Sequence, residues 1–175
     1  MRLSKITNVK HFMNKLLIEN AFDIFLISEA IIKTGNSYVI DGHINSDFYS
    51  EIELEEFKSE ASLEGRIFSE SLSRWSQLKP TVFSLMKGKK TPLYFKLSFY
   101  LAGENIEKLL SSADTSIKPN DVDGLSVIIK YSEEELTVTS SVSLKIFSLD
   151  KSLDKLFDEM VLKFLTSQDI QYEIM

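Results

Sequence analysis

Alternation is clearest between Leu93 and Leu101. Leu93, Phe95, Leu97, Phe99 and Leu101 share one face and Tyr94, Lys96, Ser98 and Tyr100 the other, the period of a strand with one buried side. Five such apolar side chains, worth about 1.5–3 kcal/mol each when buried, predict a core strand. Elsewhere the period is helical. Val9, Phe12, Met13, Leu16 and Leu17 form one stripe behind Asn8, a good N-cap residue. Leu63, Ile67, Phe68, Leu72, Trp75 and Leu78 form a second stripe, continued by Val82, Phe83 and Met86 beyond Pro80, which kinks this helix or opens a new one. Ile106, Leu109 and Leu110 predict a short helix over 103–113. Leu153, Leu156, Phe157, Met160, Val161 and Phe164 predict a last helix over 150–167, capped by Asp150 or Ser148.

The remaining strands are read from shorter signals. Arg2–Ile6 opens the chain. Residues 24–33 and 37–45 read as a hairpin across Gly35-Asn36, which pairs Ile31 with Ile40 and Ile27 with Ile44. Phe48–Leu54 reads as a third strand. Leu125–Tyr131 and Leu136–Val138 flank a glutamate turn at 133–135, and Val142, Leu144 and Ile146 carry the alternation on. Ile170, Tyr172 and Ile174 suggest a short final strand.

The element order reads as duplicated: strand, helix, hairpin over the first 46 residues and again from residue 93. Leu16-Leu17 recurs as Leu109-Leu110, and Ile31-Ile32-Lys33 as Ile128-Ile129-Lys130. The expectation is an α+β chain of one domain over 1–175, with repeat-like units at 1–55 and 93–148, a helical insertion at 60–87 and a C-terminal helix at 150–167. Each unit reads β-α-β-β with a third strand optional. The alternative is a ferredoxin-like β-α-β-β-α-β order for 93–175.

Composition narrows the classes. The 175 residues suit one domain of ordinary globular make-up. There is no cysteine, which excludes disulfides, thiol nucleophiles and cysteine-ligated metals. Met1-Arg2-Leu3-Ser4-Lys5 lacks the apolar run of a signal peptide and no stretch is long enough to span a membrane, so a cytoplasmic protein is expected. A net charge of −6 argues against a simple basic nucleic-acid module, although a local basic face is compatible with it.

Two resemblances bear on these expectations. Leu101-Ala-Gly-Glu-Asn-Ile-Glu-Lys-Leu-Leu110, Leu125-Ser-Val-Ile-Ile-Lys-Tyr131 and Leu136-Thr-Val-Thr139 resemble a β-α-β-β-β unit of a DNA sliding clamp, over roughly 100 residues and through unspecific words. The resemblance implies a duplicated clamp-like domain whose inner helices face DNA with lysines. Lys10 and Lys15 stand on the first helix, while the second sets Lys108 against Glu104 and Glu107, so DNA binding is expected to be weak or absent. The segments at 60–87 and 150–167 depart from the clamp pattern. Trp75, the run Lys79-Pro80 to Leu93 and Ser143-Leu144-Lys145 leading to Leu149-Asp150-Lys151-Ser152-Leu153 resemble a family of uncharacterised bacterial proteins, which implies no activity.

Candidate chemistry is sparse. Gly88-Lys89-Lys90-Thr91 suggests a phosphate loop, but Phe83 stands where the first glycine belongs and the order is helix–loop–strand. Lys87, Lys89 and Lys90 still form the densest basic cluster, suited to an acidic partner or a phosphate backbone. His43 with Asp41 offers two polar groups near Asp47 and no third ligand, so no metal site is expected. The glutamates of 51–64 lack the spacing of a calcium loop, and no nucleophile elbow is present. No catalytic residue and no cofactor is assigned. The expected function is non-catalytic binding or scaffolding, with Lys10, Lys15, Lys87, Lys89 and Lys90 as contacts to a nucleic acid or acidic partner, a protein partner or a second copy. The alternative is a small enzyme or ligand-binding protein with a site of scattered polar residues.

Overall fold

The computed structural model describes residues 1–61 and 71–175, with side chains described outside 57–70. Its strands are β1 (Arg2–Ile6), β2 (Phe25–Lys33), β3 (Ser37–Asp41), β4 (Ser73–Arg74), β5 (Tyr94–Leu101), β6 (Val122–Ser132), β7 (Glu135–Leu144) and β8 (Tyr172–Ile174). Its helices are α1 (Val9–Leu17), α2 (Glu51–Ala61), α3 (Trp75–Met86), α4 (Gly103–Ser111) and α5 (Ser152–Ser167). The strands form one antiparallel sheet in the order β3-β2-β5-β6-β7-β1-β8, with β4 added beside β2. The fold is α+β. Among the described residues, no helix is long and apolar enough to cross a membrane.

The sheet turns Phe95, Leu97, Phe99, Leu101, Val127, Ile129, Leu136 and Val138 into one core. Phe12 and Leu16 of α1, Trp75, Val82 and Met86 of α3, Ile106 and Leu110 of α4, and Leu153, Phe157, Val161 and Leu165 of α5 complete it. The alternation read for β5 holds from Phe95 onward. Leu93 precedes the strand and is 74% exposed.

The two β-α-β-β orders, β1-α1-β2-β3 and β5-α4-β6-β7, are both present. Their leading strands have different partners: β1 lies between β7 and β8, and β5 lies between β2 and β6. The ferredoxin-like alternative for 93–175 is corrected. That order would set its first and third strands side by side in parallel, whereas β5, β6 and β7 are successive antiparallel neighbours and β1 separates β7 from β8.

Three local expectations are also corrected. In the β2–β3 hairpin the pairs are Ala30 with Ile40 and Ile31 with Val39, one residue from the expected register. Residues 34–36 lie between the paired Lys33 and Ser37, and a bulge at Ser28 switches the inward face, so Ile27, Ala30 and Ile32 are all buried. Phe48–Leu54 is not a strand: a 3-10 turn covers Ser46–Phe48 and α2 begins at Glu51. Ser50 and Glu53 explain that start, because Ser50 Oγ accepts the Glu53 N–H at 3.2 Å and Glu53 Oε2 accepts the Ser50 N–H at 2.7 Å. The stripe ending at Met86 is not one helix. Leu72 bridges His43, and Ser73–Arg74 pair with β2 before α3 begins at Trp75 and runs through Pro80. Leu63, Ile67 and Phe68 lie outside the described residues.

A candidate binding groove

Helices α1 and α3 lie side by side in opposite directions, and the cause can be read at their two ends. Trp75 is fully buried at the start of α3, and its indole Nε1–H donates to the Leu16 carbonyl at 3.1 Å. That carbonyl belongs to the last turn of α1, where helical carbonyls have no partner within the helix. One turn along α3, Lys79 Nζ donates to the Glu19 carbonyl at 3.0 Å and to Asp23 Oδ1 at 2.7 Å. At the opposite end, Val9 and Met13 of α1 line one cavity with Met86 and the loop that follows α3.

Between the helices runs an apolar groove of two lobes that share Met13, Leu17 and Phe83. One lobe, about 490 Å³, follows α1 from Asn8 and Lys10 to Ile18. The other, about 240 Å³, is lined by Met86, the loop from Lys87 to Pro92, Phe95 and Tyr131. The Phe95 and Tyr131 rings stack there with centroids 5.4 Å apart, which fixes the floor on the sheet. Met13 and Met86 give the floor its adaptability, since unbranched thioethers repack at small cost, and Phe83 adds an aromatic ring beside them.

The rim is basic. Lys10, Lys87, Lys89 and Lys90 line the lobes, are all exposed, and make no ion pair among the described residues. The positive end of α1 adds to their field; its first turn is capped by Asn8 Oδ1, which accepts the His11 N–H at 3.1 Å. Lys15 is placed differently. It pairs with Glu19 at 2.7 Å, holding that carboxyl below its ordinary value, and lines neither lobe. The structure thus brings four of the five lysines expected from sequence to one groove and leaves the fifth engaged elsewhere. His11 borders the groove too, with Nε2 3.4 Å from the Gln168 carbonyl. The apolar floor was missed in sequence because Met13, Leu17 and Phe83 read as ordinary stripe residues.

The His43 and Asp41 pair is real but differently suited. Asp41 Oδ1 accepts the His43 backbone N–H at 2.9 Å and lies 2.6 Å from ring Nδ1, and these bonds hold the Asp41 carboxyl below its usual range. The pair borders a cavity of about 450 Å³ with Ser28, Glu29 and Val39. The Ser28 hydroxyl is directed at the Ser98 carbonyl, 3.2 Å away, and Glu29 faces Lys96 at 3.8 Å. Among the described residues no three His, Cys, Asp or Glu side chains are grouped to hold a metal ion. The Gly88–Thr91 segment follows α3 and precedes β5, the helix–loop–strand order read from sequence.

Comparison with known proteins gives the groove no template. A family model described as a family of unknown function (DUF5721) matches residues 15–173. No curated protein and no solved structure matches.

Proposed function

We propose that this chain, which belongs to the family of unknown function whose model spans residues 15–173, is a non-catalytic binding protein that holds an acidic, apolar-anchored protein segment between α1 and α3. The observation that carries the reading is the pairing of an apolar floor, Met13, Leu17 and Phe83, with four rim lysines that have no ion partner among the described residues. The groove is open along its length. Sites for small molecules enclose most of their ligand, so a helical or extended segment of a partner suits this shape better. DNA suits it less well: a phosphate backbone would use the lysines and leave the apolar floor uncovered, and Lys15 is engaged by Glu19. A clamp-like role would need a longer basic track than these four residues supply.

The test is fluorescence anisotropy with two labelled probes: an acidic helical peptide bearing leucines at i and i+4, and a DNA duplex of similar net charge. Saturable binding of the peptide, weakened by salt and reduced about tenfold or more by the triple variant Lys87→Glu, Lys89→Glu, Lys90→Glu, is the expected result. Binding of the duplex in preference to the peptide would overturn the reading.

A further inference from the structure

The most acidic exposed helix of the described chain has the chemistry that the groove asks for. Helix α2 opens with Glu51, Ile52, Glu53, Leu54, Glu55 and Glu56. Glu51 and Glu55 are exposed and one turn apart. Beside them stand two large apolar side chains with little cover: Phe48 is 82% exposed and Ile52 is 71% exposed. Phe48 ends the 3-10 turn ahead of α2 and Ile52 lies in its first turn; two exposed apolar side chains bordered by carboxylates are the complement of an apolar groove bordered by lysines.

Within one molecule the two features are set at different ends of β2. Gly42, which leads toward α2, donates to the Ser28 carbonyl at 2.8 Å, while Leu93, which closes the lysine loop, donates to the Lys33 carbonyl at 2.8 Å. Five residues of strand separate these points, about 17 Å at the usual rise. Phe48 and Ile52 stand exposed, and neither lines the groove of their own copy.

Resting on the groove reading above, we propose that the occupant is supplied by a second copy of this chain: Phe48 and Ile52 of one copy enter the groove between α1 and α3 of another, and Glu51 and Glu55 meet Lys87, Lys89 and Lys90. Reciprocal exchange closes a twofold dimer, and one-way exchange extends into a chain of copies.

The test uses the full chain and light scattering with size separation across concentration and salt. The wild type is expected to self-associate at low salt and to dissociate as salt rises. Two charge-reversed variants separate the partners: Lys87→Glu, Lys89→Glu, Lys90→Glu in the groove, and Glu51→Lys, Glu55→Lys on the helix. Each alone sets like charges against each other and is expected to be monomeric, and an equimolar mixture is expected to form the complex again. Circular dichroism of each variant shows that it is folded. A wild type that stays monomeric, variants that associate as the wild type does, or a mixture that stays monomeric overturns the proposal. A monomeric wild type that still binds the acidic peptide loses this inference and keeps the groove reading; one that does neither loses both.

Discussion

The indole N–H of Trp75 donates to the carbonyl of Leu16 at 3.1 Å, joining the first residue of α3 to the last turn of α1. The bond lies inside the core, where the Trp75 ring also meets Phe99 edge-on at 5.0 Å. It sets the separation of the two helices and so the width of the groove.

Trp75→Phe keeps an aromatic ring but removes the donor and leaves a void. A loss of about 2–3 kcal/mol is expected from the unpaired carbonyl and the lost volume. Urea denaturation checks the stability. Anisotropy with the acidic peptide checks that affinity falls as well, which a purely local defect far from the groove would not produce.

The β6–β7 hairpin turns on Glu133 and Glu134, both in the left-handed region with φ of 53° and 63°. Side chains with a Cβ are strained there, and this two-residue turn favours Asn-Gly. Replacing the pair with Asn-Gly is expected to raise stability by about 1–2 kcal/mol. An unchanged or lower melting temperature would show that the acidic turn is held by something other than its backbone.

Gly42 sits where a Cβ would lie 1.9 Å from the Ile27 carbonyl oxygen, because its own N–H and carbonyl are bonded to Ser28 and Ser73. Gly42→Ala must therefore push β2 away from the 42–44 segment. A loss of about 3 kcal/mol is expected, of the size seen on overpacking, with early hydrogen exchange at Ser73 as the local signature.

Asp150 anchors the entry to α5. Its carboxylate accepts from the Ser152 N–H at 2.9 Å and the Thr115 hydroxyl at 2.8 Å, from Ser116, and from the Ser152 hydroxyl. These bonds, those from Ser152 foremost, hold its carboxyl well below the ordinary value. A depressed carboxyl stabilises the fold above the unfolded value of about 3.9 and loses that contribution as pH falls toward the folded one. The stability gap between wild type and Asp150→Ala is thus expected to be full at neutral pH and to shrink below about pH 4. Chemical denaturation over a pH series measures it, and a gap that is constant down to low pH would contradict the assignment.

The parts of the fold that were legible in the sequence are those with long, unbroken periods. The Phe95–Leu101 alternation, the α1 stripe behind Asn8 and the Leu153–Phe164 stripe became β5, α1 and α5. What failed turned on single residues or distant partners. The bulge at Ser28 flips the face of β2, and the hairpin periodicity alone carries no mark of it. The helix at Glu51 was marked in sequence by Ser50-Glu51-Ile52-Glu53, a capping signal that outweighs the alternation read over Phe48–Leu54. The break at Leu72–Arg74 comes from backbone pairing with the Gly42 and His43 segment, a long-range cause that helical spacing does not reveal. The lysines of the groove were legible as a charge cluster, but the floor was not, because Met13 and Phe83 look like core residues until α1 and α3 are placed together.

The central claim is that the α1–α3 groove is where a partner segment binds. Methionine methyl NMR tests it most directly, because Met13 and Met86 line the groove while Met160 lies on α5. On titration with the acidic peptide, the Met13 and Met86 methyl signals are expected to shift together and saturate, with Met160 unmoved. Shifts at Met160 with Met13 and Met86 unchanged, or no shifts at all, would contradict the account.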